Sequence, residues 1–289
     1  MGLIAPGTYI APPGITGHRF GLFSASAMPD DDGRWQLGVE YEPLTGAIAD
    51  LRASECVDDY TDTITPASVP APVDGIPFVV VGGYNCKATS RPIEDAEERA
   101  RLALIGGEER AVEEALMTSA VSNAPAFPGA TLVEGGDPIS LANAFSNFER
   151  LMGVNYHSAG VIHLPRSLAP FAYDRGLIFR EGQQLQTVLG TPVAAGAGYD
   201  AGNQSPAGAD PGEGQAWVYA TGAVTIRRGE IFVQPDEQHY LDKANNDLVI
   251  LAQRDYLVTF TGPVFAALVD IPAFEDCSCG VESEEGFGN

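Results

Sequence analysis

The sequence predicts a mixed α+β fold, and three observations predict it. A long helical stretch runs from Ile93 to Met117, a second apolar stripe spans Leu141 to Met152, and strand patterns crowd the region from Ala216 to Val269. With 289 residues and 45% apolar content, the chain can bury a sizeable core and is not globally disordered.

Taken in order, residues 1–34 are rich in glycine, proline and small side chains, with an acidic run at Asp30 to Asp32. Little there could build a core, so the segment reads as an extended arm that needs another surface to lie on. Trp35 to Tyr41 reads as a strand, and residues 61–75 as a proline-rich connector. Ile76 to Val81 reads as a buried strand closed by Gly82-Gly83. Pro92 then opens the long helix, and Glu94, Asp95, Glu97 and Glu98 crowd its first turns, where the macrodipole favours acids. Gly106-Gly107 interrupts it. Each glycine costs about 1 kcal/mol relative to alanine in a helix interior, so a kink or break is expected there. Glu113-Glu114 reads as part of a solvated helical face.

Asp137 followed by Pro138 reads as the start of the second helix. Leu141, Ala144, Phe145, Phe148, Leu151 and Met152 recur at helical spacing and make one apolar face. Ala159 to Leu164 reads as a strand and Pro165 to Tyr173 as a short helix. Leu185 to Val193 carries a turn or edge marked by Gly190 and Pro192. Residues 195–214 read as a loop longer than compact domains usually carry, hence functional or mobile. Strands are expected at Ala216 to Tyr219, Ala223 to Arg227, Ile231 to Val233, Asp247 to Arg254, Tyr256 to Phe260 and Val264 to Val269. The acidic tail from Glu275 to Asn289 is expected to be disordered.

Charge narrows the function classes. The 39 acidic residues against 16 basic ones give a formal net charge of -23. Such a surface repels nucleic acid and anionic membranes, so direct duplex binding is excluded as a primary role. Lys87 and Lys243 are the only lysines, a skew toward arginine that fits a GC-rich genome. No apolar run reaches the roughly 20 residues of a membrane span. Met1 to Ala11 lacks a basic segment and a long apolar stretch, so no secretory signal is expected. Pro6 occupies the position where myristoylation needs serine or threonine.

Motifs of catalysis are missing. The chain has no G-x-S-x-G, no P-loop and no H-E-x-x-H. Gly196, Gly198 and Gly202 resemble a dinucleotide fingerprint, but the last spacing is wrong and no helical pattern follows. They read as loop glycines. His157 and His163 would share a strand face, yet no third ligand sits beside them, and His18 and His239 are isolated. All four read as packed or surface histidines. Cys277 and Cys279 could bind a metal with Cys56 and Cys86, or pair with them; free thiols are the simpler reading. Asn203-Gln204-Ser205 fits a glycosylation acceptor, which has no meaning without secretion. No residue is singled out as catalytic, cofactor-binding or metal-ligating, and no cofactor is expected.

Four segments carry a family resemblance: AEERARLAL…ERAVEEALMTS (residues 96–119), SAGVIHLPRSLAPFA (158–172), LQTVLGTPVAAG (185–196) and NNDLVILAQRDYLVTFTGPVFAALVDI (245–271). In order and spacing they resemble the major capsid proteins of tailed bacteriophages, the Hong Kong 97-type fold, which encapsulin shells share. The first looks like the spine helix, the second and third like the heart of the axial domain. The last looks like the paired C-terminal strands of the peripheral domain. Trp35 to Tyr41 with Cys56 and Cys86 further resembles the branch from phages of actinobacterial hosts.

The resemblance implies an arm at 1–34, then an extended loop and a peripheral strand over 35–89. Spine helix and peripheral domain follow at 90–136, the axial domain at 137–233, peripheral C-terminal strands at 234–274 and a tail at 275–289. It also implies a non-enzymatic subunit that self-assembles into hexamers and pentamers of an icosahedral head. Assembly would take place in the host cytoplasm, and the protein's place is the virion capsid. Expected partners are the chain itself, a portal ring, a scaffold, a decoration protein, and packaged double-stranded DNA without sequence-specific binding; no membrane is expected. Some members of this fold cross-link their shells through a Lys–Asn isopeptide bond. Lys87 at the end of the extended-loop region and Lys243 outside it are poor candidates, so no such bond is expected here. The alternatives are an encapsulin-type compartment, a vertex capsid protein, a soluble hydrolase with an unrecognised site, and a head–tail connector ring.

Overall fold

The computed structural model describes residues 17–30, 33–42, 72–87, 93–118, 127, 129–234, 241–242 and 247–271. Most of the arm, most of the proline-rich connector, the acidic tail, Lys243, His239, Cys56, Cys277 and Cys279 lie outside the described residues.

Five helices and fourteen strands are described. The helices are α1 (Leu22–Ala25), α2 (Ile93–Thr118), α3 (Leu141–Asn155), α4 (Ala169–Asp174) and α5 (Gly198–Ala201). The strands are β1 (Val39–Tyr41), β2 (Val73–Gly75), β3 (Phe78–Lys87), β4 (Thr131–Leu132), β5 (Val161–Pro165), β6 (Ile178–Glu181) and β7 (Gln184–Thr187). They continue as β8 (Pro192–Gly196), β9 (Gln215–Thr221), β10 (Val224–Arg228), β11 (Phe232–Gln234), β12 (Leu241–Asp242), β13 (Asp247–Phe260) and β14 (Phe265–Asp270).

Two sheets organise the chain. In the first, β13 is the central strand: β3 pairs along one side of it, and β10, β11 and β12 share the other, all antiparallel. The second has seven strands in the order β4-β14-β9-β5-β8-β7-β6, with parallel pairs at β4/β14 and β5/β8. A small pair, β1 with β2, stands apart.

The alternation along the strands sends each face to a different helix. On β9, Val218 and Ala220 join Phe145, Phe148 and Met152 of α3 in one core. Trp217 and Tyr219 of the same strand join Leu116 and Met117 of α2 in the other. The first half of α2 covers the other sheet, packing Ala96, Ala100 and Leu104 among Val80, Leu248, Ile250, Ala252 and Tyr256. Helix α2 therefore crosses from one sheet to the other and ties both into one core.

Several sequence expectations change on contact with this packing. Helix α2 runs unbroken through Gly106 and Gly107. The tertiary contacts on both sides of the glycines outweigh their propensity cost of about 1 kcal/mol each. Gly82-Gly83 does not end the strand either. A Cβ on Gly82 would stand 2.5 Å from the Leu104 nitrogen, so the glycine is what lets β3 pass under α2. Only one face of that strand is buried: Val80 is covered while Val79 and Val81 are exposed.

Trp35 lies in a 3-10 turn (Arg34–Leu37), and the strand there is confined to β1. Helix α3 starts at Leu141 with Ser140 as its cap, whose Oγ accepts the Asn143 N–H; Asp137 instead ends the preceding 3-10 turn. The two strands expected over 247–260 are one, β13, and the last strand leaves it to pair with β9 in the other sheet. Strand β10 likewise joins β13 rather than the seven-stranded sheet.

Candidate functional site

The most densely built polar region lies where α2 crosses between the sheets. Its buried stripe reads Ala96, Ala100, Leu104, Glu108, Val112, Glu113, Leu116 and Met117, so two carboxylates occupy core positions. Neither is free. Glu108 Oε2 accepts from Arg254 Nη1 at 2.8 Å and from the Tyr256 hydroxyl at 2.7 Å, and Arg228 stands 3.9 Å from Oε1. Burying an acid here is tolerable because it is paired and hydrogen-bonded at once. Burial, and then the acceptor Glu108, push the Tyr256 phenol well above its ordinary range. The Arg254 Nε remains buried without a hydrogen-bond partner.

Beside Glu108 in sequence, Glu109 and, one turn further on, Glu113 hold the incoming N-terminal segment. Glu113 Oε1 accepts the Leu22 N–H at 2.9 Å and Oε2 the Gly198 N–H at 3.0 Å. Glu109 Oε1 accepts the Phe23 N–H at 2.9 Å. On the other side of the segment, Arg166 donates to the carbonyls of Arg19 and Ala195, and the Ala195 N–H donates to the Phe20 carbonyl at 2.7 Å. Leu22 is fully buried beneath these bonds, which contributes about 2 kcal/mol. Three glycines make room. A Cβ on Gly21, Gly196 or Gly198 would fall within 2.5 Å of Glu113 side-chain atoms.

Burial dominates the electrostatics of the pair. It pushes Glu113 up to about 7, against the lowering pull of the Gly198 and Leu22 amides; Glu109 raises it further and Arg166 lowers it. Burial raises Glu109 as well, opposed by the Phe23 amide and Arg166. Glu113 is 1% exposed, so its reading as part of a solvated face is overturned; Glu114, its neighbour, pairs with Arg110 on the open side. The signal in the sequence was the spacing. Glu113 falls four residues after Glu109 and in register with the apolar stripe.

A second polar knot lies in the core beside it. His163 on β5 bonds Tyr199 through Nδ1 at 2.8 Å and Thr221 through Nε2 at 2.9 Å. Phe127 stacks on Tyr219 and lies 5.1 Å from the imidazole. Complete burial lowers His163 to about 3, so the ring is neutral at ordinary pH. His157 does not join it; it sits in the turn after α3 with φ of 57° and is exposed. Gly196, Gly198 and Gly202 are not loop glycines in open space, since each abuts α2, and residues 198–201 form α5. Asn203 is likewise engaged, bonding the Trp217 carbonyl and amide.

No group of three or more histidine, cysteine or acidic side chains with metal-holding geometry occurs among the described residues. No described helix is long and apolar enough to cross a membrane. The polar groups above are engaged with one another and with backbone, so their work is to join segments.

No family model and no curated protein matches this sequence. Solved structures do match. The capsid of the native GTA particle superposes with a TM-score of 0.55 at 10% identity, over 94% of this chain and 96% of that one. The capsid of Ralstonia phage GP4 gives 0.55 at 12% identity, over 93% and 96%. A chain from Gordonia phage Cozz gives 0.51 at 10% identity, over 94% and 92%. At such identities the likeness defines the fold. The chain has the Hong Kong 97-type capsid fold.

Proposed function

We propose that this chain is the major capsid protein of a tailed bacteriophage, a subunit that works by assembly and not by catalysis. In this reading it forms hexamers and pentamers that close as an icosahedral head around double-stranded DNA. The observation that carries the reading is the match to capsid structures along more than nine-tenths of both chains.

The surface supports it. On the sheet centred on β13, the face turned away from α2 exposes Val79, Val81, Val249, Leu251 and Phe232, and the β7–β8 turn exposes Val188 and Leu189. Surfaces of this kind serve contact with other chains. A net charge of -23 suits an enclosure that must not adhere to packed DNA. The partners in this proposal are further copies, a portal ring, a scaffold and a decoration protein, and the place of assembly is the host cytoplasm. The part of the arm ahead of residue 19, and an extended loop somewhere in the 35–89 region ahead of β3, are proposed to lie on neighbouring subunits, ordering as the shell forms.

The test is the state of the purified full-length protein. Light scattering and electron microscopy are expected to show capsomers or closed megadalton particles. A stable, fully folded monomer at micromolar concentration would overturn the reading, and a ring of one small fixed number would transfer it to a connector.

A further inference from the structure

The N-terminal segment is fastened to α2 by two carboxylates that accept its backbone amides. Residues 19–25 lie over two carboxylates one helical turn apart, and the segment's own backbone forms their roof. Leu22 and Phe23 supply amide hydrogens to Glu113 and Glu109, and Gly21 passes directly over both side chains. The surroundings offer little positive charge. Among the described residues, Arg166 is the cation whose field acts on both acids. Helix α1 brings no titratable group and β8 brings none; α5 brings Tyr199, whose hydroxyl is engaged with His163, and Asp200, which accepts from the Ser167 amide and hydroxyl. Glu108 adds a like charge to Glu109 but is itself matched by Arg254 and Arg228. Arg110 is turned to Glu114. His18 and Arg19 line the adjoining cavity of about 350 Å³, with Arg180.

Lifting the segment would return both carboxylates to water. The two states therefore differ chiefly in the hydration of a pair of acids, which makes the seated state the better proton binder. We propose that seating of residues 19–25 on α2 is coupled to proton uptake by the Glu109–Glu113 pair, so that the segment is gripped more firmly as pH falls through neutrality and lifts more readily as it rises. The sign follows from the direction of the shift. A carboxyl raised from 4.5 to about 7 in the seated state imposes no penalty below the lower value, and its penalty is complete above the higher one. The coupling belongs to the subunit and does not rest on the assembly reading.

Hydrogen exchange on the full chain, read by mass spectrometry, tests this. The peptide covering residues 20–25 is compared with one from α3 (141–155) between about pH 5.5 and 8.5, each corrected for intrinsic exchange. Protection of the first is expected to fall relative to the second by up to about tenfold per pH unit below neutrality, levelling off above. In Glu113→Gln, which keeps one acceptor and cannot titrate, that relative dependence is expected to flatten. Equal pH dependence of the two peptides in the unaltered protein overturns the proposal, whether or not the variant folds. A dependence that survives when Glu109→Gln is added to Glu113→Gln also overturns it, because neither acid of the pair can then titrate.

Discussion

Single residues decide where this chain can be altered, and two glycines on either side of one contact show it. Gly82 lies under α2, where an added methyl would sit 2.5 Å from the Leu104 nitrogen and 2.6 Å from its Cα. Backbone cannot yield as a flexible side chain does, so Gly82→Ala is expected to cost about 1–3 kcal/mol. A Cβ on Gly107, in contrast, meets nothing within 4 Å, and Gly107→Ala is expected to gain about 1 kcal/mol from helix propensity. Thermal melting of the two variants should move in opposite directions.

His163 gives a second residue-scale expectation. Its ring is held neutral in the fold, with a pKa lowered from 6.5 to about 3 by burial. The stability it permits is complete above the higher value and is lost as pH falls toward the lower one, by up to about 1.4 kcal/mol per unit. Glu113 acts in the opposite sense, so the measurement must compare variants. The urea midpoint of His163→Gln should start lower at neutral pH but fall less steeply on acidification. Parallel slopes would mean that the buried imidazole is not what acid attacks.

At the scale of elements, legibility followed periodicity. Helix α3 was readable because its stripe is aromatic and aliphatic, and every residue from Leu141 to Phe148 that the stripe requires is buried. Its start was misread for a physical reason. Asp137-Pro138 has the composition of a cap, but Ser140 has the geometry, with its Oγ 3.2 Å from the Asn143 nitrogen. Ser140→Ala should therefore cost about 1 kcal/mol, while Asp137→Ala should stay within about 0.5 kcal/mol; chemical denaturation separates them. Helix α2 was readable by length but its buried face was not. Alanines carry the first half of that face, and acids stand in the second half. A carboxylate in a helix reads as solvated until a partner from 91 residues away, the Leu22 amide, is known to reach it. The Glu109–Glu113 site was hidden for that reason: its donors are main-chain groups, which no side-chain motif reveals.

At the scale of the whole molecule, the order of elements was legible and their pairing was not. The strands from Gln215 onward were readable one by one. That β10 and β13 build one sheet while β9 and β14 build the other depends on long-range register, which local alternation does not encode. The continuity of β13 likewise has a tertiary cause. Its Asp247–Tyr256 half is paired with β3 at every position, and β10 takes over from Tyr256 to Phe260. The same pairing bears on how assembled copies would be held together. An isopeptide cross-link needs a lysine on a segment able to reach a neighbouring chain, in a setting that makes the amine neutral. Lys87 instead is the last residue of β3, its backbone in register with Asp247 at the start of β13. Lys243, the other lysine, lies outside the described residues, and the net charge of -23 favours protonated amines throughout. Particles boiled in detergent and reductant are therefore expected to run as one band near 30.4 kDa. A ladder of covalent multimers that disappears in Lys87→Ala would show instead that the end of β3 reaches a neighbouring subunit.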